Sequence, residues 1–436
     1  MPTTPSFPEI EHWQETSTEV RPVLLLMAYE CMPDADAEAY AGWERVLQAA
    51  REFDVHVIVG AKSFAAIEER GHIHEIPGVH FHTPKEDLLY RVLKRAPNLF
   101  PHNDIAYYHW QRLAYRKARE LHRKHCFSLV HQINARTFRE PGYTWRLGIP
   151  YVWGPMGGTQ NFPVAFLAGM PLVEQIAERA HNIGNLISLR RPRVKRAAKH
   201  ASVLLAVNSA NKSDFERAFR RRVELLPETA IDAVRRPETA KFRARGPLNI
   251  LWSGESARSK ALPLLLEALA NLGHDVEYQL HILGDGPLDM EREALAAQLG
   301  VVRRCTFFGD RRTEQVLDQL EWAHLFVCTS LRDGSDKMIL EALGHGVPVM
   351  CFGHQSVDDI VTPSCGIKIP VTHPGHAVAA MASSIRALAQ DRNRLLQLSA
   401  GACDRARNYL WSENAARITS IYRSLVLAGA QSHATR

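Results

Sequence analysis

The sequence lacks the features by which membrane-spanning, secreted and metal-binding proteins are usually recognised. No apolar run approaches the roughly 18 residues that a membrane-spanning helix needs, and the seven cysteines are scattered, with none spaced as CxxC. Residues 1–21 are polar and acidic, so they do not resemble a signal peptide and are expected to form a loose leader. These absences favour a globular protein of the reducing cytoplasm.

Acidic residues are almost missing from two segments, although the whole chain carries a net charge of only +6. Residues 190–200 contain six Lys or Arg and no acid, and residues 111–125 contain six against one acid. A solvated helix face explains such a segment; the alternative for 190–200 is an anionic membrane surface, where each basic side chain contributes about 1 kcal/mol. Because no recognition motif accompanies these segments, nucleic acid is not expected as a partner.

The chain of 436 residues is long enough for two domains of roughly 200 residues each. Short apolar segments alternate with helical patterns, which predicts parallel sheets covered by helices on both faces. A polar stretch at 224–247 divides these segments into two series. We therefore expect two doubly wound α/β domains, at 22–228 and 236–411, that face each other across a cleft. The predicted strands are 22–29, 54–60, 127–133, 149–154, 202–208, 248–254, 277–284, 304–309, 324–330 and 347–353.

Two acids lie near the end of one predicted strand, where doubly wound sheets bind their ligands. Asp333 follows the strand 324–330, and Glu341 lies in the next helix, one turn beyond Lys337 and Met338. The free N–H groups and positive dipole of a helix start suit a phosphate, and a carboxylate one turn further can accept hydrogen bonds from a vicinal diol. The pattern predicts a nucleotide site; a helix with one exposed glutamate is the alternative.

This stretch resembles the acid-x7-Glu signature of the family-4 retaining glycosyltransferases, which have the GT-B fold of two Rossmann-like domains. The resemblance implies that Asp333, where the family usually has Glu, contacts the donor sugar, and that Glu341 holds the ribose hydroxyls. It also implies that backbone groups of Lys337 and Met338 meet the donor phosphate.

Other motifs of the C-terminal half resemble elements of the same family. Lys260 matches the lysine that neutralises the diphosphate as it leaves. Arg258 could share this task, because Glu255 stands where the family usually has an arginine; Ala261 likewise stands where the family usually has a glycine. Segments 280–288 and 307–312 resemble elements whose loops border the nucleotide base. The remaining residues expected at the donor are Gly254, Gly284, Gly309, Arg311 and Gly334.

The N-terminal half resembles a bacterial polysaccharide-synthesis branch of this family in the block 131–163. His131 is expected to line the cleft as a catalytic residue, although Ile133 stands where the family's histidine usually falls; a core or loop histidine is the alternative. The final helix, predicted at 412–428, would pack back on the first domain. Three glycines are expected to let backbone N–H groups approach a ligand in the cleft, namely Gly154, Gly157 and Gly158.

Two patterns offer metal sites as alternatives. Asp34 and Asp36 form a DxD, but this loop follows the first strand, in a stretch where the family has glycines; there Asp36 and Tyr40 would crowd a diphosphate. Residues 71–82 contain four histidines, whose alternation around an IPG turn favours strand faces over a zinc site. No metal is expected, because Lys260, Arg258 and the helix start can carry the positive charge that the diphosphate needs.

The resemblance implies a retaining, metal-independent glycosyltransferase that moves a sugar from a nucleotide-sugar donor to a saccharide or polyprenyl-diphosphate-linked acceptor, in cell-surface polysaccharide synthesis. No separate cofactor is expected. The protein would be cytoplasmic, or peripheral on the inner face of the plasma membrane through residues 190–200. Because Asp36, Tyr40 and Glu255 depart from the family pattern, a catalytically weak nucleotide-sugar-binding partner protein is an alternative, and a GT-B sugar-nucleotide epimerase is another.

Overall fold

Two β-sheets, each flanked by helices, form the frame of the protein in a computed structural model of the chain. The structure describes residues 21–33, 37–71, 76–95, 104–134, 137–235, 239–254, 257–273, 276–284, 286, 288–309, 313–332 and 337–434. The first sheet contains β1 (Val23–Ala28), β2 (Asp54–Ile58), β3 (Val79–His82), β4 (Leu129–Asn134), β5 (Tyr151–Met156), β6 (Val203–Ala206) and β7 (Glu224–Leu225). The second contains β8 (Leu248–Ser253), β9 (Tyr278–Leu283), β10 (Cys305–Gly309), β11 (Leu325–Cys328), β12 (Val349–Phe352) and β13 (Gly366–Ile369).

Both sheets have the strand order of doubly wound domains. The first runs β3-β2-β1-β4-β5-β6-β7 and the second β10-β9-β8-β11-β12-β13, and the paired strands are parallel. The order reverses between β1 and β4 and between β8 and β11, which opens a crevice at the carboxyl ends of those strands. The predicted pair of doubly wound α/β domains is confirmed.

Helices cover both faces of each sheet. Those of the first domain are α1 (Ala37–Ala50), α2 (Ala61–Glu69), α3 (Leu88–Arg95), α4 (Asp104–His125), α5 (Leu172–Arg190), α6 (Pro192–His200) and α7 (Ser209–Phe219). Those of the second are α8 (Thr239–Arg243), α9 (Leu262–Ala270), α10 (Asp289–Gln298), α11 (Thr313–Trp322), α12 (Lys337–Gly344), α13 (Gln355–Ile360), α14 (Pro374–Gln390) and α15 (Arg392–Ala406). In the part of the chain that the structure describes, no helix has the length and apolarity to cross a bilayer.

Strand β1 shows why the strands are continuous apolar runs. Successive side chains of a strand point to opposite faces of the sheet. Leu24 and Leu26 pack into one hydrophobic cluster, whereas Leu25 and Met27 pack into the cluster on the other face. All four side chains are fully buried, so a polar residue at any of these positions would lie inside the protein.

The chain returns to the first domain in its last helix, α16 (Trp411–Ala434). Ile418 and Tyr422 are buried in the core of the first domain, and Arg423 forms an ion pair with Glu52. Helix α16 therefore ties the second domain to the first.

All ten strands predicted above are present, and the structure contains three more: β3 agrees with the strand faces expected from the histidines at 71–82, whereas β7 and β13 were not predicted. The short strand β3 alternates Val and Phe with histidine, and only its Val79 and Phe81 side chains are buried. Strands β7 and β13 have two and four residues. A two-residue segment such as β7 carries too little pattern to be distinguished from a loop.

Candidate active site at the carboxyl ends of the second sheet

Helix α12 holds the acid that was expected at the ribose. Its buried face includes Ile339 and Leu343, and Gly346, at φ 68°, follows its end in the left-handed conformation. Glu341 is partly buried, and burial raises the pKa of its carboxyl group, although nearby Lys337 acts in the opposite direction. No side-chain hydrogen bond or ion pair from the described residues reaches this carboxylate.

The loop that carries Lys260 is fixed against the loop that follows β11. The Trp252 indole N–H donates to Thr329 Oγ1 over 2.9 Å, and the Thr329 hydroxyl donates to the Lys260 carbonyl over 2.6 Å. The Leu331 N–H donates to the Ser259 carbonyl over 2.7 Å. These bonds join the carboxyl ends of β8 and β11, where the strand order reverses, and place Lys260 at the same crevice as residues 329–331.

The backbone conformation of the residue after this lysine explains why the resembling family usually has a glycine at this position. Ala261 has φ 45° and ψ 37°, which is the left-handed region. An alanine there has a Cβ that costs roughly 1 kcal/mol compared with glycine. The departure from glycine at this position is therefore tolerated, at some cost in stability.

Three glycines that were expected at the donor lie side by side along the same edge. The Gly254 N–H donates to the Leu283 carbonyl, and the Gly284 N–H donates to the Gly309 carbonyl. A Cβ on Gly254 would lie 3.1 Å from the Trp252 ring and 3.4 Å from Lys260 Cδ. The structure thus brings Gly254, Gly284, Gly309 and Lys260 to one edge of the second sheet.

Arg258 is engaged by carboxylates. Its Nε donates to Glu174 Oε1 over 2.9 Å, and a terminal nitrogen lies 3.5 Å from Glu291 Oε2. Arg332 donates to Glu178 Oε2 over 2.7 Å in the same manner. Both Glu174 and Glu178 belong to α5 of the first domain, so two ion pairs connect this helix to the candidate site. Arg332, Glu174 and Glu178 were not predicted from the sequence. The signal that could have indicated the two glutamates is their spacing of four residues, one helical turn, on α5.

Tyr40 of α1 reaches the start of α12 from the first domain. The Lys337 ammonium lies 5.5 Å from the centre of the Tyr40 ring, and the Tyr40 hydroxyl donates to Asp232 over 3.2 Å. The ring therefore lies at the end of α12 where the donor phosphate was expected, while Met338 packs against the core of the second domain. This contact gives a structural basis to the crowding anticipated from the sequence.

His131 is a correction to the expected site. Its side chain is fully buried; Nε2 donates to the Gly154 carbonyl and Nδ1 accepts from the Tyr422 hydroxyl, each over 2.6 Å. Burial, together with Arg45, lowers the pKa of His131 to about 3, so the ring is neutral. With both nitrogens engaged in the interior, His131 joins β4, β5 and α16 and does not line the cleft.

The glycines of the first domain serve packing in this structure. A Cβ on Gly154 would lie 2.3 Å from the Leu205 carbonyl oxygen, and one on Gly158 would lie 3.0 Å from Thr137 Cβ. Gly157 is less crowded, because its nearest contact would be 3.3 Å away. The Gly158 N–H, which was expected to face a ligand, donates to Gln160 Oε1 over 2.9 Å.

Several predicted residues lie outside the part of the chain that the structure describes: Asp333, Gly334, Arg311, Glu255, Asp34 and Asp36. The DxD alternative therefore lies outside the described residues and stays a prediction. Of the histidines at 71–82, His80 and His82 lie on β3. Within the described ranges, no group of three or more His, Cys, Asp or Glu side chains is arranged to hold a metal ion.

Comparisons with known proteins agree with this architecture. Residues 247–391 match the family model described as "Glycosyl transferases group 1". D-inositol 3-phosphate glycosyltransferase 1 of Catenulispora acidiphila is 26% identical over 305 residues, which are 63% of this chain and 71% of that protein. D-inositol 3-phosphate glycosyltransferase of Corynebacterium kroppenstedtii is 25% identical over 190 residues, 41% of each chain.

Solved structures match along nearly the whole chain. Sucrose-phosphate synthase from Thermosynechococcus elongatus has a TM-score of 0.63 at 16% identity and covers 94% of this chain and 100% of its own. HepE of Anabaena, solved in complex with UDP, has a TM-score of 0.60 at 16% identity and covers 92% of this chain and 100% of its own. The protein thus has the GT-B fold, and residues 247–391 of its second domain match the group 1 glycosyl transferase model.

Proposed function

We propose that this protein is a retaining glycosyltransferase that moves a sugar from a nucleotide-sugar donor to a saccharide or lipid-linked acceptor. The observation that carries the proposal is the Glu341 carboxylate, which is partly buried at the crevice of the second sheet and has no partner among the described residues. Buried polar groups are normally hydrogen-bonded, and the two hydroxyls of a ribose would supply the missing donors.

The neighbouring structures support the choice of donor. HepE of Anabaena, which has the same fold, was solved in complex with UDP and with UDP-glucose. In our proposal the nucleotide lies along the glycine edge of the second sheet, its ribose at Glu341 and its diphosphate between Lys260 and the start of α12. The positive dipole of that helix start favours the phosphates.

The proposed reaction breaks the bond between the anomeric carbon and the diphosphate oxygen. The acceptor hydroxyl forms the new bond from the same face, and its proton passes to the departing phosphate oxygen. Lys260 would stabilise the negative charge that grows on the diphosphate, while Asp333 would orient the donor sugar. No step requires a metal ion or a second cofactor.

Arg258 can join this task only by exchanging partners. Its guanidinium is paired with Glu174 and Glu291, and a bound diphosphate would compete with these carboxylates. A multiply charged phosphate held by a guanidinium forms strong bidentate hydrogen bonds. We therefore infer that donor binding draws Arg258 away from α5.

A catalytically weak nucleotide-sugar-binding protein remains the second candidate, and the contact of Tyr40 with Lys337 favours it. A tyrosine at the start of α12 would reduce the space for a diphosphate. An epimerase that acts on the donor alone is the third candidate.

A thermal-shift panel of UDP-, GDP-, ADP- and dTDP-sugars, followed by turnover of the best binder, tests these candidates. Transfer that depends on an added saccharide or lipid-linked acceptor supports the proposed function. Binding without transfer or donor hydrolysis would indicate the weak binder, and conversion of the donor without any acceptor would indicate the epimerase. Absence of binding to every donor would overturn the proposal.

A further inference from the structure

Helix α5 has its polar and apolar faces reversed. Its protein-facing side is polar: Glu174 and Glu178 form ion pairs with the second domain, and Asn182 and Asn185 form hydrogen bonds with the chain between Gln160 and Phe162. A surface helix normally buries its apolar face and exposes its polar one. Here the polar side chains form the contacts with the protein.

The side of α5 that faces away from the protein is mostly apolar, with the exposed Arg179 among its side chains. Val173 is 79% exposed, Leu172 69% and Ile183 59%. Ile176, Leu186 and Ile187 are each more than half exposed. Positions 172, 176, 183 and 187 fall on one face of a helix, because residues three and four apart are neighbours. A contiguous exposed apolar face of this kind marks an interaction surface.

Basic residues border this face. The next helix, α6, exposes Lys195, Arg196 and Lys199, and these belong to the segment 190–200 without acids. A groove of about 980 Å³ between α5, α6 and α7 is lined by Arg190, Lys195, Lys199, Arg217 and Arg220, with Asp214 as an acid among them. It begins near Thr159, in the loop after β5. Apolar and cationic surfaces thus lie side by side on one flank of the first domain.

We propose that α5 lies in the interface of an anionic phospholipid bilayer, with its apolar face at the acyl boundary and the cationic groove on lipid phosphates. Helices that combine an apolar face with neighbouring Lys and Arg bind membranes in this orientation. This inference rests on the proposed function, because the membrane contact would bring the cleft to a lipid-linked acceptor.

Charge distinguishes a bilayer from a second copy of the chain. Two copies joined through this face would bring their α6 helices and their cationic grooves together, and like charges repel. An anionic lipid surface attracts the same side chains. The bilayer is therefore the occupant that matches both the apolar and the charged part of the surface.

The test is co-sedimentation of the full chain with vesicles of phosphatidylglycerol and phosphatidylcholine, or of phosphatidylcholine alone. We expect the wild type to bind the anionic vesicles and the double variant Ile176→Glu/Ile183→Glu to bind at least about tenfold more weakly, because burying one isoleucine side chain supplies about a tenfold gain in affinity. Leu427→Glu, at a residue of α16 that is 64% exposed, is the matched control and should bind like the wild type.

The basic part is tested by Lys195→Glu/Lys199→Glu, which should lose binding to anionic vesicles. Lys62→Glu/Arg303→Glu has the same change in net charge at exposed positions elsewhere and should retain it. Should an α5 variant fail to fold, amide hydrogen exchange of residues 172–190 in the wild type replaces it as the test. Bound anionic vesicles should slow the exchange of these residues.

Equal sedimentation of the wild type and Ile176→Glu/Ile183→Glu, or equal binding to both vesicle types, would overturn the proposal. So would a dimer in solution that these substitutions dissociate, because the face would then belong to a second copy. Nucleotide-sugar affinity is measured in the same samples without vesicles. Its loss would contradict the proposed function and leave the membrane result intact, and the reverse also holds.

Discussion

The carboxyl ends of the two sheets use their polar groups in opposite ways. At the first sheet, His131 and the Gly158 N–H have hydrogen-bond partners inside the domain. At the second sheet, the Glu341 carboxylate has no such partner among the described residues. Arg258 and Arg332 reach carboxylates of α5 across the interface, and Arg258 also lies near Glu291 of its own domain.

In our proposal this difference separates residues that stabilise the fold from residues that bind a ligand. Replacing a polar group that is hydrogen-bonded inside its own domain lowers the stability of the protein. Replacing a preorganised group that has no partner in the protein instead lowers its affinity for the ligand. Glu341 belongs to the second kind and His131 to the first, although both are partly or fully buried and ionisable. The substitutions below break or sharpen that contrast.

The largest effect on stability is expected for His131→Phe. The variant leaves the Tyr422 hydroxyl and the Gly154 carbonyl without their partner, and each unsatisfied buried group costs about 1–3 kcal/mol. Chemical denaturation measures the loss. The folded fraction should keep its nucleotide affinity, and a loss of affinity without a loss of stability would return His131 to the cleft.

Lys260→Ala should lower turnover about 100-fold or more, the size expected when a group that stabilises transition-state charge is removed. Nucleoside affinity should change much less, because the negative charge on the diphosphate grows during the reaction. Steady-state rates and calorimetry with the nucleoside compare the two quantities, with Lys62→Ala as the control. An equal loss in both would make Lys260 a simple binding residue.

The titration of His131 should also change how the free energy of unfolding depends on pH. Its pKa is about 3 in the folded protein and near 6.5 in the unfolded chain, so the unfolded chain binds the extra proton in between. This histidine therefore stabilises the fold above about pH 6.5 and loses that contribution as the pH falls towards 3, at up to about 1.4 kcal/mol per pH unit. His131→Phe should show a shallower fall in the free energy of unfolding between pH 7 and 5 than the wild type. Parallel curves would contradict the burial of the ring.

The smallest effect is expected for Glu174→Gln/Glu178→Gln. These ion pairs are partly exposed, with side-chain exposures of 37% and 41% for Arg258 and Glu174, so each contributes about 0.2–1 kcal/mol at most. Releasing Arg258 and Arg332 should tighten nucleoside-diphosphate binding a few-fold in calorimetry, whereas Arg258→Ala should weaken it. Glu293→Gln, at an exposed position of α10, is the control. Weaker binding of the double variant would show that α5 supports the donor rather than competing with it.

The architecture, and the grouping of the glycines with Lys260 at one edge of the second sheet, could be predicted because their signals are local. Buried parallel strands are continuous apolar runs, as in β1, and the loops after them carry the glycines and Lys260 at readable spacings. Glu341 was predicted from its distance to a strand end and a helix start. Short edge strands such as β7 have no comparable signal.

Contacts between distant parts of the chain could not be predicted. Arg258 and Glu174 are 84 residues apart, and Arg332 and Glu178 are 154 apart, so their pairing depends on how the domains meet. His131 lies in an apolar strand. The pattern of that strand does not reveal that the Tyr422 hydroxyl, 291 residues later, donates a hydrogen bond to the buried ring. For α5, periodicity indicates two faces, but only the packing shows that the polar face is turned inward.

Calorimetric titration of the best-binding nucleotide into the wild type and Glu341→Gln tests the central claim most directly. If Glu341 holds the ribose, the substitution should weaken binding by about 1.5–3 kcal/mol, the value of a charge-assisted hydrogen bond, with the melting temperature unchanged or raised because an unpartnered, partly buried carboxylate is removed. Glu293→Gln should bind like the wild type. Unchanged affinity in the folded Glu341→Gln variant would remove this carboxylate from the donor site and contradict the account.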